Sequence, residues 1–213
     1  NMARKVGGCM TSMDESWTLR NGLKIHHRSV LAAMTNKQSH DDGCLSDNEI
    51  NFLKRRAKGG FGIITTAASH VQQSGQGWTG EMGVWSDDHI PGLTRLADGI
   101  REYGSKSFAQ LFHGGMRSPS SLTGQQPVSA SENFISNSEG SSREMTLEEV
   151  NETIRCFADA AKRCEDAGFD GVELHGAHGY LIAQFLGAKT NRRSDEFGGD
   201  VLQRMTILNR IID

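Results

Sequence analysis

The sequence of 213 residues predicts an α/β fold, the first half of an eight-fold (β/α) barrel. A short apolar run, a Gly-rich or polar loop and a helical segment follow one another four times, which is the pattern of βαβ units and a parallel sheet. Barrels of this kind take about 250 residues, and an open four-stranded sheet would leave two unpaired edges. We therefore expect residues 1–27 to form a hairpin segment and residues 28–213 to form β/α units one to four of a barrel domain.

The N-terminal segment and the first unit carry clear turn and cap signals. Asn21-Gly22 between apolar residues predicts a β-hairpin over Trp17–Ile25. The first strand is predicted over Ser29–Met34. A helix follows with Ser46 or Asp47 as its N-cap, and it ends at Lys58-Gly59-Gly60.

The second unit begins with Phe61–Ala68, a run rich in β-branched residues that predicts a buried strand. A Gly/Gln/Ser loop follows over residues 69–83. Apolar residues recur at the helical period after Asp87, which predicts a helix with Gly104 as its C-cap.

The third strand is predicted over Lys106–Phe112. A loop from His113 to Arg143 follows with no convincing helix or strand signal, and loops of that length are usually functional. The capping box Thr146–Glu149 then starts a helix that ends before Gly168.

The fourth strand is predicted over Phe169–His175, and a short apolar segment runs on through Leu186. A polar, Arg-rich loop covers residues 189–199. One more helix is predicted over Leu202–Ile212.

Composition excludes several classes of protein. With 36% hydrophobic and 23% charged residues the chain is an ordinary globular one, and a net charge of −3 argues against nucleic acid or an acidic membrane as partner. No stretch approaches the roughly 20 apolar residues of a membrane helix, and the polar start Asn1 to Gly8 lacks the apolar core of a signal peptide. We expect a small-molecule partner and a cytoplasmic location.

The cysteines argue against a disulfide framework and a zinc ribbon. Cys9, Cys44, Cys156 and Cys164 show no CxxC spacing, so free thiols are predicted.

Ligands of parallel α/β proteins bind at the carboxyl ends of the strands, where this chain places His175, His178 and Tyr180. The two imidazoles could hold a carbonyl or nitro oxygen and so make a conjugated alkene electrophilic, with Tyr180 placed to offer a proton. HxxH could equally be a metal pair or two unrelated hydrogen-bonding histidines. A catalytic zinc would need a third protein ligand, so no metal site is predicted.

Gln110 is a polar residue inside the third apolar run. Its amide offers a donor and an acceptor to the edge of a planar heterocycle, and the alternative is a core amide bonded to backbone. Thr35 after the first strand could likewise be a loop cap.

Several motifs in register resemble the old yellow enzyme family, the NADH:flavin oxidoreductases. They span nearly the whole chain in order: Leu19-Arg-Asn-Gly-Leu23, Arg55-Arg-Ala-Lys-Gly-Gly-Phe-Gly62, Gly83-Val-Trp-Ser-Asp-Asp-His-Ile-Pro-Gly92, Gln110-Leu-Phe-His113, Pro127-Val-Ser-Ala130, Gly171-Val-Glu-Leu-His-Gly-Ala-His-Gly-Tyr-Leu181 and Asn191-Arg-Arg-Ser-Asp-Glu-Phe-Gly-Gly199.

The resemblance implies the N-terminal portion of a TIM-barrel enzyme that binds FMN, takes NADH or NADPH as reductant, and reduces the C=C bond of α,β-unsaturated carbonyls, as well as quinones or nitro compounds. His175 and His178 match the pair that holds the substrate oxygen, and Tyr180 matches the proton donor. The residues that match the flavin-binding positions are Ala33, Met34, Thr35, Ala68 and Gln110.

Two departures from the family pattern stand out. Ala33 occupies a position where the family usually has Pro, and the arginine of His113-Gly-Gly-Met-Arg117 is moved by one residue. Two alternatives stay open: a non-enzymatic half-barrel that forms a homo-oligomer through its exposed sheet edges, and a dienoyl-CoA-reductase-like FMN enzyme.

Overall fold

The computed structural model describes residues 12–13 and 15–213. Cys9 and the polar start Asn1–Gly8 lie outside the described residues. The strands are β1 (Trp17–Thr18), β2 (Lys24–Ile25), β3 (Val30–Leu31), β4 (Ile63–His70), β5 (Met82–Gly83), β6 (Lys106–Phe112), β7 (Val128–Ser129), β8 (Phe134–Ser136), β9 (Gly140–Ser141), β10 (Arg143–Glu144) and β11 (Gly171–Leu174). The α-helices are α1 (Asp47–Lys58), α2 (Ile90–Arg101), α3 (Ser120–Thr123), α4 (Leu147–Asp166), α5 (Leu181–Leu186), α6 (Val201–Arg204) and α7 (Thr206–Ile212), and 3₁₀ turns cover Gln73–Gly75, Asp87–His89 and Gly115–Arg117.

The central sheet is parallel with the order β11-β6-β4-β3, and β5 pairs with the end of β4. Each strand of the main path neighbours the next one in the chain, with α1, α2 and α4 as the crossovers, so the predicted α/β fold is confirmed. The sheet is open, and β3 and β11 are its edge strands. The hairpin is also confirmed, because β1 pairs antiparallel with β2.

The predicted helix starts are confirmed by their caps. The Ser46 side chain accepts a hydrogen bond from the Glu49 backbone N–H, and Thr146 forms a capping box with Glu149. Buried faces of α1, α2 and α4 pack on the sheet in one hydrophobic cluster that includes Leu53, Leu96 and Phe157. A smaller cluster under α5 and α7 includes Phe185 and Phe197.

Several predicted boundaries were wrong. The first strand is only Val30–Leu31, because the parallel pairing with β4 covers those two residues alone. The second strand runs from Ile63 to His70, two residues later than predicted, since its far end pairs with β5 and β6. Helix α2 ends at Arg101 with Glu102 as C-cap, and Gly104 supplies a left-handed turn two residues further on.

The segment from His113 to Arg143 was predicted to be a plain loop, and it is structured. It contains a 3₁₀ turn, α3, the antiparallel pair β8 and β9, and β7, which pairs parallel with β10. These elements have two to four residues each, too few for a periodic signal in the sequence. The fourth strand is Gly171–Leu174, shorter than predicted, and the last predicted helix is split into α6 and α7 at Met205.

Three cysteines lie in the described part of the chain, and they are free thiols as predicted. Burial raises the pKa of the Cys164 thiol to about 12, and burial with nearby carboxylates raises the pKa of Cys156 to about 11. None of the helices within residues 12–13 and 15–213 combines the length and apolar character needed to cross a membrane.

Candidate active site

A cavity of about 250 Å³ lies at the carboxyl ends of β4, β6 and β11. The side chains predicted from the sequence meet there although they come from different units of the fold. The predicted residues that line it are Ala33, Thr35, Ala68, Gln110, His175, His178 and Tyr180. Met34 does not line this cavity, and its side chain is 49% exposed.

Gln110 is held by both neighbouring strands. It pairs with Ala68 of β4 on one side and with Glu173 of β11 on the other. Its backbone N–H donates to Thr66 Oγ1 at 3.1 Å, and its side-chain Nε2 donates to the Glu173 carboxylate. These contacts fix the direction of the amide at the cavity wall.

The hydrogen bonds of His175 determine which ring nitrogen is a donor. Its backbone N–H donates to Leu111 O at 2.9 Å, which continues the strand pairing, and its Nδ1 accepts the Ala177 backbone N–H at 3.3 Å. A neutral imidazole that accepts at Nδ1 carries its proton on Nε2. Burial, followed by the charge of His178, lowers the pKa of His175, so the ring is neutral near pH 7 and Nε2 is a donor.

The aromatic side chains of the site form a compact cluster. The His175 ring lies 5.1 Å from the His178 ring and 4.9 Å from the Tyr180 ring, measured between centroids, and both contacts are edge-on. Phe112 packs edge-on against Tyr180 at 4.5 Å. His178 and Gly179 have φ values of +56° and +71°, so a left-handed turn carries the chain from His178 to Tyr180.

The sequence reasoning missed five residues of the cavity wall, among them the large or charged Trp78 and Glu173. Glu173 could have been found, because it is a charged residue inside a predicted strand, two positions before His175. Trp78 lies in the long loop after β4, and no sequence pattern there indicates a residue of the site. Its position depends on Glu81, whose buried side-chain Oε2 accepts the backbone N–H groups of Gly77 at 2.6 Å and Trp78 at 3.4 Å.

No cluster of three or more histidine, cysteine or acidic side chains suited to a metal ion occurs in the described ranges. Within the described residues, no third side chain of these types is placed to share a metal ion with His175 and His178, although Glu173 also lines the cavity. The site offers a ligand hydrogen-bond donors at His175 and Gln110, small alanine side chains and the phenol of Tyr180.

The part of the chain that matches a protein family includes all the residues of the candidate site. The model of the NADH:flavin oxidoreductase / NADH oxidase family matches residues 17–213. The chain belongs to this family. The predicted relationship to the old yellow enzymes is thereby confirmed.

Two relatives and one solved structure illustrate the similarity. The chain is 38% identical over 199 residues to the probable NADH-dependent flavin oxidoreductase YqiG of Bacillus subtilis (strain 168), covering 93% of this chain and 53% of that protein. It is 39% identical over 197 residues to the NADH:acrylate oxidoreductase of Vibrio harveyi, covering 92% of this chain and 20% of that protein. The old yellow enzyme homologue from Zymomonas mobilis superposes with a TM-score of 0.87 at 29% identity, over 94% of this chain and 58% of that one.

The chain thus spans about half the length of the Bacillus relative of this family and a fifth of the Vibrio one. The predicted relation to the TIM-barrel fold of the old yellow enzymes is confirmed, with this chain supplying an open part of the parallel sheet.

Proposed function

We propose that the protein carrying this chain is an FMN-dependent NAD(P)H oxidoreductase that reduces the C=C bond of α,β-unsaturated carbonyl compounds, with quinones and nitro compounds as further acceptors. The observation that carries the proposal is the convergence of His175, His178 and Tyr180 on the cavity that Gln110 also lines. The family supports a flavin oxidoreductase. The name of the Vibrio relative, which includes acrylate, supports a conjugated alkene as substrate.

The cavity fits a planar heterocycle such as the flavin ring. Ala33 and Ala68 present short side chains that let a flat ring approach closely, and Gln110 supplies an amide for its edge. With one Nε2 hydrogen engaged by Glu173, the amide oxygen and the other N–H are left for a ligand that has both an acceptor and a donor. The flavin pyrimidine edge has that pattern. Ala33, Thr35, Ala68 and Gln110 would hold this group.

When bound, FMN supplies hydride transfer from NADH or NADPH to the electron-poor alkene. The chain's own residues bind and polarise the substrate. Nε2 of the neutral His175 donates a hydrogen bond to the carbonyl oxygen, and His178 offers a second donor beside it. Donors directed at an oxygen that gains negative charge stabilise the transition state more than the ground state. The β-carbon of the conjugated alkene becomes more electrophilic as a result.

Tyr180 holds the proton that the reduced alkene needs at its α-carbon. Its ring is packed against Phe112 and His175, so the phenol is held in one orientation beside the cavity. A general acid in fixed geometry contributes about 10²–10⁴-fold to a rate. Quinones need no such carbon protonation, so their reduction depends less on Tyr180.

The proposal is tested on the protein expressed from its complete coding sequence. We expect it to purify with the absorption bands of oxidised flavin, to bleach with NADH or NADPH, and to recover the bands when cyclohexenone is added. A protein that neither retains FMN nor binds it on reconstitution would overturn the proposal. If quinones restore the flavin bands and no enone does, the proposed function is limited to quinone reduction.

A further inference from the structure

The loop that follows β6 reaches across to the turn that carries His178 and Tyr180. Arg117, at the end of the 3₁₀ turn Gly115–Arg117, donates from its Nη1 to the His178 backbone oxygen at 2.5 Å. Its guanidinium carbon also lies 4.8 Å from the centroid of the Tyr180 ring. One exposed side chain therefore contacts both residues to which we assign substrate chemistry on this turn.

The turn at His178 and Gly179 needs stabilising contacts from other parts of the chain. His178 adopts φ of +56°, a conformation that side chains other than glycine rarely take, and Gly179 follows at +71°. Strained backbone of this kind persists only where surrounding contacts determine it. Arg117 supplies such a contact, because it donates a hydrogen bond to the backbone oxygen of His178, the strained residue.

A second contact anchors the base of the turn. Gln184 of α5 is buried, its Oε1 accepts the Met116 N–H at 3.1 Å, and its Nε2 donates to the oxygens of Gly114 at 3.1 Å and Gly179 at 2.8 Å. Because Gln184 belongs to the packed interior, its replacement would disturb folding. Arg117 is exposed, so its contribution can be removed by itself.

We infer that Arg117 is a positioning residue, which holds the turn of residues 176–180 so that His178 and Tyr180 face the cavity. The inference rests on the proposed function of those two residues and extends it to a residue outside the cavity wall. Loss of Arg117 leaves His175, Gln110 and the small side chains unchanged. The loss of Arg117 therefore acts mainly through Tyr180 on alkene protonation, which quinone reduction does not need, so enone turnover falls more than quinone turnover.

The test compares Arg117→Met with Arg117→Lys in the full-length protein loaded with FMN. Arg101→Met is the matched control, because Arg101 is also exposed and donates to a backbone oxygen at 2.6 Å, that of Gly168, which precedes the amino end of β11. A charged hydrogen bond and a cation–π contact together predict a loss of roughly tenfold in enone kcat for Arg117→Met. We expect quinone kcat to stay within about twofold, and lysine to restore part of the enone rate because it keeps a charged donor.

A second measurement needs no cofactor. In the protein labelled with 3-fluorotyrosine, Tyr180→Phe assigns the resonance of Tyr180 and Tyr103→Phe assigns that of Tyr103, the two tyrosines of this sequence. We expect the Tyr180 resonance to shift or broaden in Arg117→Met and the Tyr103 resonance to stay unchanged.

The outcomes separate this inference from the proposed function. A wild-type protein without FMN or enone reduction would overturn the proposed function itself. Wild-type activity with an unchanged ratio of enone to quinone turnover in Arg117→Met would overturn only the role of Arg117. Should Arg117→Met fail to fold, the same ratio in Arg117→Gln and its Tyr180 resonance decide, because glutamine carries no charge, and wild-type values in both would overturn the inference.

Discussion

The imidazole of His175 stands edge-on to the ring of Tyr180, with 4.9 Å between the ring centroids and 85° between the ring planes. This contact places a neutral hydrogen-bond donor and a phenol side by side at the end of β11. Under the proposed function, a substrate whose oxygen binds to His175 would have its conjugated carbons close to Tyr180. The separate roles of the two residues can be distinguished by mutation.

Replacing His175 with alanine should weaken the binding of phenolic ligands to the FMN-loaded protein. In the proposed site a phenol would bind as its phenolate, with His175 and His178 as donors to its oxygen, and loss of one charge-assisted hydrogen bond predicts at least a tenfold rise in Kd. Titration of the long-wavelength charge-transfer band measures this. His26→Ala is the control, because exposed His26 bonds to Gly104 O at 2.8 Å far from the cavity. An unchanged Kd in His175→Ala would contradict the assigned role.

Replacing Tyr180 with phenylalanine should slow enone reduction by about 10²-fold or more, because the general acid is lost while the ring remains. Quinone reduction should stay close to the wild-type rate. Stopped-flow reoxidation of the reduced protein by each acceptor separates the two. Tyr103→Phe removes the other phenol of the chain, which lies before the amino end of β6, and should change neither rate. Equal slowing with both acceptors would contradict a role in protonation.

Replacing Gln110 with leucine should weaken FMN binding roughly tenfold, because the amide that faces the cavity loses its polar atoms. Glu173→Gln should have a smaller effect in the same direction, since a neutral amide still accepts the bond from Gln110 but can hold it in more than one orientation. Fluorescence quenching of FMN measures both dissociation constants. Gln126→Leu, an exposed glutamine bonded to Ser141 O, is the control.

Acid should destabilise the protein partly through His113. Burial lowers the pKa of His113 to about 4, while the unfolded chain titrates near 6.5. The unfolded state therefore binds more protons between these values, and stability is lost as pH falls from about 6.5 toward about 4. The shift predicts a loss of about 2 kcal/mol between pH 7 and pH 5 from this residue. Urea unfolding of His113→Asn should show a pH dependence weaker by that amount, and an equal slope would show that His113 is not buried in neutral form.

Glu81 should give the stability of the protein a pH dependence opposite in sign to that of His113. Burial raises the pKa of Glu81 well above its usual value, and its neighbour at 3.8 Å, His70, has a pKa lowered by burial to about 3, so it supplies no positive charge. A raised carboxyl pKa means that stability is lost as pH rises above about 4.5 toward the folded value.

Glu81→Gln removes that proton uptake, and its amide oxygen can still accept the Gly77 and Trp78 N–H groups. We expect the variant to be more stable than wild type at pH 8, with a smaller difference at pH 4.5. Chemical denaturation at both pH values measures this, and exposed Glu132→Gln is the control. A variant less stable than wild type at pH 8 would contradict a raised pKa of Glu81.

Helix caps and tight turns could be predicted from the sequence, because each depends on only a few neighbouring residues. The caps at Ser46 and Thr146 and the hairpin turn at Asn21-Gly22 are local, and each appears where it was predicted. Strand β6 has the predicted limits, Lys106–Phe112, because its apolar pattern is bounded by Gly104 and by the polar residues after Phe112. Local propensity could not give the limits of β3, which depend on how far its partner β4 runs beside it.

The sequence by itself determined the family, the order of strand and helix, and the residue types that gather at the carboxyl ends of the strands. Only the tertiary structure decided which of them meet. Ala33 and Thr35 line the cavity and Met34 between them does not. Arg117 contacts His178 across 61 positions of sequence, and Glu81 holds Trp78 through backbone hydrogen bonds. Such contacts leave no local pattern, because they depend on how separate loops pack at one end of the sheet.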